Sequence, residues 1–340
     1  MKEQLFKNNN ELYFVYKMTK IDLKDRKILY QLDLNCRQSN TQIGKKVGLK
    51  RDVVAYRIKK MEDEGIIHNY WTIIDAYKLG YIVFRFYLVF QYVTQDIKNN
   101  IIDFLVKDKH TWVVASLIGR YDLTVFLWLK DINDFYRFWD NLLDKYGDFF
   151  EEKVFSIYVQ GETYHSSYLL KDLVKEIDRK SYSSVGGGTT IEIDSIDFQL
   201  LNEIAENARA PLIDLAKKLN CTSQTINYRL KNLMDQKIIQ GFRVSIDISK
   251  LGLKHFKVDA HLKENSKRKD LMTYTKKHPN LMFIGTSAGV SDLELEFYLE
   301  DSEQLNQIMD DTNNKFPGAI RRHEYFIASK THKLRFMPEV

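Results

Sequence analysis

The 340-residue sequence predicts an α+β protein built from two copies of one unit, each a winged helix-turn-helix followed by a ferredoxin-like βαββαβ sandwich. Three observations predict this class. A 60-residue stretch occurs twice, each copy reads as three helices with a tight turn before the last, and a strand-helix-strand-strand-helix-strand order follows each copy.

The repeat appears when Ile21–Gly80 is set over Ile193–Gly252, 172 positions apart and without a gap. Asp22, Asp25, Leu29, Asn35, Arg37, Lys45, Lys46, Tyr56, Arg57, Ile66, Ile67, Asp75, Leu79 and Gly80 each meet an identical residue. About a third of the aligned positions agree, well above chance for an ungapped comparison, so duplication explains the pattern.

A chain of this length exceeds one ordinary core, and 44% apolar with 29% charged residues excludes a disordered or fibrous protein. The net charge of +5 permits nucleic-acid binding without demonstrating it. Cys36 and Cys221 lie apart from any partner at metal-ligand spacing, as expected of reduced thiols in a cytoplasmic protein. Met1–Lys20 reads as a flexible arm without a cleavage site. Tyr81–Val93, interrupted by Arg85 and Gln91, falls short of the roughly 20 residues of a spanning helix, so no membrane partner is expected.

In the first copy Ile28, Leu29 and Leu32 define a helix opened by Asp22 and Asp25. Thr41 is placed to cap a second, with Ile43 and Val47 inward and Lys45 and Lys46 outward. Gly48 supplies the turn, and Val54, Ile58 and Met61 define the buried face of a third helix over about 51–64. In such a unit the first turns of the last helix enter the major groove. That region carries Lys50, Arg51, Asp52, Tyr56 and Arg57, flanked by Lys45 and Lys46: arginine suits guanine edges and rim cations suit phosphate. A solvated basic helix face is the equally weighted alternative on charge alone. Gly65–Asp75 reads as a helix stop and a short β-hairpin wing.

Behind it come a strand at Val83–Val93, a helix at Ile97–Val106, strands at Thr111–Ile118 and Leu123–Leu129, a helix at Ile132–Tyr146 and a strand at Glu152–Val159. Phe84, Phe86, Tyr87, Phe90, Trp112, Phe126 and Trp128 make these strands aromatic. Alternation sends half of them away from the helices, toward another sheet. Thr163–Lys180 ends in helical spacing over Leu169–Ile177, and Ser181–Thr190, with Gly186-Gly187-Gly188, has linker composition and reads as a hinge.

The second copy expects helices at Asp197–Glu206, Pro211–Leu219 and Thr222–Met234. Its third helix presents Thr222, Ser223, Gln224, Asn227, Tyr228 and Arg229, with Thr222 or Ser223 as cap and the amides suited to adenine edges. If both copies read DNA, they should not prefer the same half-site. The second sandwich spans Phe256–Leu262, Arg268–Lys277, Leu281–Ser287, Leu293–Leu299, Ser302–Asn313 and Ile320–Ala328. The segmentation is therefore 1–20 arm, 21–80 reader, 81–162 sandwich, 163–192 linker, 193–252 reader and 253–340 sandwich.

The unit resembles the Lrp/AsnC (feast/famine) family of transcriptional regulators. The likeness rests on Ile21-Asp22-x-x-Asp25-x-x-Ile28-Leu29, Asn35-x-Arg37, Tyr56-Arg57-Ile58, Gly65-Ile66-Ile67 and Asp75-x-x-x-Leu79-Gly80, with a Gly-x-x-Asp turn between the central sandwich strands. The resemblance implies double-stranded DNA as partner, pairing through the sandwich sheets as an intramolecular pseudo-dimer or a homo-oligomer, and a small-molecule effector, often an amino acid, near that turn. Carried onto this sequence, the effector residues are Gly119, Tyr121 and Asp122, and Gly289, Ser291 and Asp292. A turn aspartate can receive an α-amino group, or simply bond its own backbone.

No catalytic group, metal site or cofactor is expected. The eight histidines are scattered, and neither His-x-x-x-His nor a Gly-x-Ser-x-Gly motif or phosphate loop occurs. Two alternatives stay open: a tetrapyrrole (sirohaem-type) decarboxylase, which shares the architecture, and a sensor or scaffold without DNA binding.

Overall fold

The computed structural model describes residues 6–8, 11–13, 21–170, 179 and 181–338. Strands β1 (Phe6–Asn8) and β2 (Glu11–Tyr13) pair antiparallel, so the expected arm holds a small hairpin, and its remaining residues lie outside the described ones.

The first reader comprises α1 (Leu23–Leu34), α2 (Asn40–Val47), α3 (Arg51–Asp63) and β3 (Ile67–Ile74). Asp22 caps α1 in a capping box with Asp25. Ser39, not Thr41, caps α2, because Gln42 stands three residues on and closes the reciprocal bond. Gly48 ends α2 in the left-handed conformation that a side chain would strain. After a short 3₁₀ turn the sandwich follows as β4 (Ile82–Phe90), α4 (Gln95–Lys107), β5 (Thr111–Ile118), β6 (Leu123–Leu129), α5 (Ile132–Tyr146) and β7 (Phe150–Tyr164). Then comes β8 (Ser181–Val185). The second unit repeats the order: α6 (Ser195–Ala205), α7 (Leu212–Lys218), α8 (Ser223–Asp235), β9 (Ile239–Ile246), β10 (Lys254–Leu262), α9 (Arg268–Thr275), β11 (Leu281–Ala288), β12 (Leu293–Leu299), α10 (Ser302–Lys315) and β13 (Ile320–Leu334).

Two expectations are corrected. No hairpin forms over Gly65–Asp75. Ile67–Ile74 is one strand whose partner is β9 of the other unit. The stretch lacks a turn pair to reverse it, and the equivalent strand satisfies its backbone instead. The supposed hinge is partly ordered: Ser181–Val185 pairs with Gln160–Tyr164 of β7. The flank of β7 that β4 occupies earlier is open there, and any sequence can supply the N–H and C=O groups it needs. Ser167–Leu170 forms a 3₁₀ turn, and the rest of the helix expected over Leu169–Ile177 lies outside the described residues.

The last strand of each sandwich runs well past its expected end. The first half of β7 pairs with β4 and the second half with β11 of the other sandwich. Likewise β13 pairs first with β10, then with β5. The eight strands therefore close into a ring in the order β11, β12, β10, β13, β5, β6, β4, β7 and back to β11. Closure removes the sheet edges apart from the flank of β7 that β8 covers. Phe84 stacks on Phe135 and Phe86 lies edge-on to Trp139, both on α5, which fixes the helix-covered face. The other face of each sheet meets its counterpart, with Tyr87 edge-on to Phe326 across the join.

Between the sheets sits a buried polar cluster contributed unequally. Arg85, fully buried on β4, donates to Ser156 Oγ (2.8 Å), Tyr158 OH (2.9 Å) and Glu294 Oε1 (2.8 Å). Lys257 Nζ lies 3.0 Å from Glu294 Oε2, and Ser287 Oγ donates to Glu294 Oε1 at 2.6 Å. Burial pushes the Glu294 carboxyl up, but Arg85 and Lys257 outweigh it and hold the group well below the carboxylate range.

Candidate nucleic-acid interface

Each third helix buries one face and leaves the other in solvent. Val54, Ile58 and Met61 of α3, and Ile226, Leu230 and Leu233 of α8, pack inward. Opposite them Lys50, Arg51, Asp52 and Tyr56 are exposed on the first reader, with Lys45 and Lys46 at the end of α2. Thr222, Ser223, Gln224, Asn227 and Tyr228 are exposed on the second. Tyr56 and Tyr228, 172 positions apart, are 69% and 70% exposed, so no packing role accounts for these aromatics.

The helix entrances differ. Thr222 caps α8 by accepting from Thr225 N (3.1 Å), whereas Lys50 stands at the cap of α3 without a side-chain cap bond. Lys50 and Arg51 therefore put two cations at the positive end of a helix dipole, a placement the fold itself disfavours. A bound anion would reverse that sign.

Arg57 and Arg229 require correction as groove residues. Arg57 Nη1 bonds Asp22 and Asp25, each at 2.8 Å, and Arg229 Nη1 bonds Asp194 and Asp197 at the same distances. The pairing raises both guanidinium pKa values. These arginines brace the third helix against the start of the first.

The two readers form one body around a pseudo-dyad. In the β3–β9 pair Trp71 lies opposite Arg243, and these residues are equivalents in the repeat. Around them the same bonds occur twice. Cys36 N donates to Phe242 O (2.9 Å) and Ala208 N to Tyr70 O (2.8 Å), while Asp75 N donates to Ile238 O (2.8 Å) and Asp247 N to Ile66 O (2.9 Å). Lys78 Nζ reaches Gln236 O, and Lys250 Nζ reaches Glu64 O.

One join is unique. Arg243 Nε bonds Asp33 Oδ1 at 2.7 Å, and Asp33 Oδ2 accepts from Ser166 N at 2.6 Å. His165 Nδ1 lies 3.4 Å from the same carboxylate. Burial would raise the Asp33 pKa, but Arg243 and His165 hold it down at about 2. Sequence reasoning missed this cluster, since Asp33 and Arg243 lie 210 positions apart and neither is repeated. Arg37, which is repeated, carried a signal: its Nη1 donates to Ala208 O of the other unit at 2.7 Å.

The Gly-x-x-Asp turns do structural work. Asp122 Oδ2 accepts from Phe90 N and Asp292 Oδ2 from Leu262 N, both at 2.8 Å. Gly119 (φ +139°) and Gly289 (φ +123°) lie against the opposite unit's last strand, where a Cβ would meet Phe326 Cβ at 3.0 Å and Phe155 O at 2.5 Å. Tyr121 is buried and stacked on Tyr87 (4.4 Å), and Ser291 is buried beside Asp259. As effector contacts Tyr121 and Ser291 are thus corrected to positions between the sheets. Among the described residues no group of three or more His, Cys, Asp or Glu is placed to hold a metal, and no helix is long and apolar enough to cross a membrane.

Comparison with known proteins agrees with this geometry. The winged helix-turn-helix DNA-binding family matches twice, at residues 21–68 and 193–240. The HTH-type transcriptional regulator FL11 of Pyrococcus horikoshii is 24% identical over 143 residues, covering 42% of this chain and 93% of the relative. The HTH-type transcriptional regulator LrpB of Bacillus subtilis is 25% identical over 126 residues, 36% of this chain and 81% of its own. The crystal structure of the siroheme decarboxylase NirDL matches across 93% of both chains with a TM-score of 0.60 and 10% identity, a likeness of fold. A relative nearly covered by less than half of this chain, together with a family that matches twice, leads to one conclusion: the chain is two fused units, each a winged helix-turn-helix followed by a ferredoxin-like sandwich, and each is similar to HTH-type transcriptional regulators.

Proposed function

We propose that the chain is a sequence-specific DNA-binding transcription regulator that offers two third helices to one duplex. The observation that carries this reading is the pair of exposed helix faces, Lys50–Tyr56 and Thr222–Tyr228, held on a common pseudo-dyad in domains of a DNA-binding family. Lys45, Lys46 and Lys50 would meet phosphates, while Arg51, Gln224 and Asn227 would meet base edges. Binding to genomic fragments, measured against salt, tests it. The expected affinity falls steeply as salt rises, and loss of Lys50 lowers the salt slope by about one. Undetectable or salt-independent binding rejects the proposal.

An amino-acid effector at the Gly-x-x-Asp turns belongs to the same proposal. Its support is that the half-buried Asp122 and Asp292 each use one carboxylate oxygen on a backbone N–H, while the second oxygen of Asp292 lies 3.9 Å from Arg268. A panel of amino acids should then shift the DNA affinity, and the shift should vanish in Asp122→Ala or Asp292→Ala.

A second reading, tetrapyrrole decarboxylation, draws on the two-unit likeness to NirDL along the full chain. An absorbance titration with an iron porphyrin separates it from the first: saturable binding at micromolar concentration favours it, and no spectral change removes it.

A further inference from the structure

The readers are equivalent in placement and unlike in chemistry. The β3–β9 strands and the three duplicated pairs of bonds fix one reader against the other as a two-fold pair. At the groove-facing positions the equivalents are Lys50 and Thr222, Arg51 and Ser223, Asp52 and Gln224, all six exposed. A palindrome shows both readers the same edges. Guanine presents two acceptors, O6 and N7, which a guanidinium satisfies and a glutamine amide, with one donor group and one acceptor, does not; adenine presents the reverse case.

The sandwiches ensure that one chain supplies one reader of each kind. Arg85 faces Glu294 across the join, and the residue equivalent to Glu294 in the first sandwich is Thr124. Pairing two first sandwiches from separate chains would set a fully buried Arg85 against Thr124 and leave its charge uncompensated. Pairing a first sandwich with a second, as this chain does internally, neutralises it.

We propose that a single chain recognises a non-palindromic duplex site, with a guanine-bearing half met by Arg51 and an adenine-bearing half met by Gln224. The two-fold frame sets the spacing of the halves and the unlike helices set their order. This inference rests on the DNA-binding reading above. Bound to such a site, the chain has a fixed polarity along the duplex.

Selection of random duplexes by the full-length chain at moderate salt tests it. The expected result is a two-part motif with unlike halves, bound by one chain as measured by mass. Duplicating either half as an inverted repeat should weaken binding about tenfold or more. Arg51→Ala should relax base preference in one half only, and Gln224→Ala in the other only. A triple exchange at the surface, Lys50→Thr with Arg51→Ser and Asp52→Gln, should convert the preference to an inverted repeat of the adenine half. A palindromic motif from the unaltered chain, or equal affinity for the duplicated halves, overturns the inference while leaving DNA binding intact. Salt-sensitive binding with no base preference overturns it as well, and absence of binding overturns both readings.

Discussion

Comparing the first unit with the second separates what the duplication kept from what it altered. Both copies keep the brace from Asp22 and Asp25 to Arg57, repeated as Asp194 and Asp197 to Arg229. Both keep Asp75 and Lys78, whose equivalents are Asp247 and Lys250, at the joins between readers. Among the altered positions are two sets that face a partner: the groove-facing turns of the third helices and the inner faces of the sheets. Across the sheets Arg85, Thr124 and Tyr87 of the first unit stand where the second has Lys257, Glu294 and Asp259. The geometry of a two-fold pair is thus retained by backbone bonds and braces, while side chains that face a partner have diverged.

The sharpest test of that contrast lies between the sheets. Glu294→Ala should destabilise the chain by about 3–5 kcal/mol in denaturant unfolding, because it strands the buried Arg85 and Lys257. The equivalent change in the other unit, Thr124→Val, removes a hydroxyl that has no partner and should stay within about 0.5 kcal/mol of the unaltered chain. Equal losses at the two positions would erase the asymmetry.

Next in size is a difference in pH response between two buried carboxylates. The folded-state pKa of Asp33 is held down at about 2, so its contribution is present above the unfolded value near 4 and is lost as pH falls through 2. Burial and the neighbouring Glu294 push Asp259 the other way, up to about 6, so folding favours its protonated form and stability falls as pH rises from about 4 through 6. Midpoints measured across pH should lose the acid limb in Asp33→Asn and the decline above pH 4 in Asp259→Asn.

The third test addresses the helix entrances. Lys50→Thr creates the cap bond that the second unit has, and it should stabilise the fold by about 1 kcal/mol while weakening DNA binding. A variant that gains stability and keeps its full affinity and salt slope would show that the missing cap has no bearing on DNA.

The smallest expected effect concerns a turn. Gly65 follows α3 at φ +66°, and Lys237 occupies the equivalent place after α8 at φ +59°, a left-handed conformation that costs a side chain about 1–2 kcal/mol. Lys237→Gly should therefore raise the thermal midpoint, offset in part by the entropy that glycine loses on folding. No change would mean that the second unit relieves this strain by another route.

Much of the architecture was legible because its signals are local. The 172-residue register, the Asp-x-x-Asp caps and the aromatic alternation of β4 and β6 each follow from neighbours along the chain. Arg57 misled because a cation on a third helix suits phosphate, and only the fold shows two carboxylates already at 2.8 Å. Ser181–Val185 misled for the opposite reason: its composition suits a linker, yet β7 offers an open flank that takes backbone irrespective of side chains.

Periodicity, caps and duplication are short-range properties, so the chain's order of residues reveals two units, where their helices and central strands lie, and which residues the third helices can expose. The tertiary structure alone decided which strand completes which sheet. β3 finds β9 rather than a hairpin partner, and β7 and β13 cross to close the ring. It also decided that Asp33 meets Arg243 and Arg85 meets Glu294, more than 200 positions apart. Backbone hydrogen bonding is nearly blind to side-chain identity, and buried charges are neutralised by whatever the fold brings within about 3 Å, so neither choice leaves a local mark in the chain.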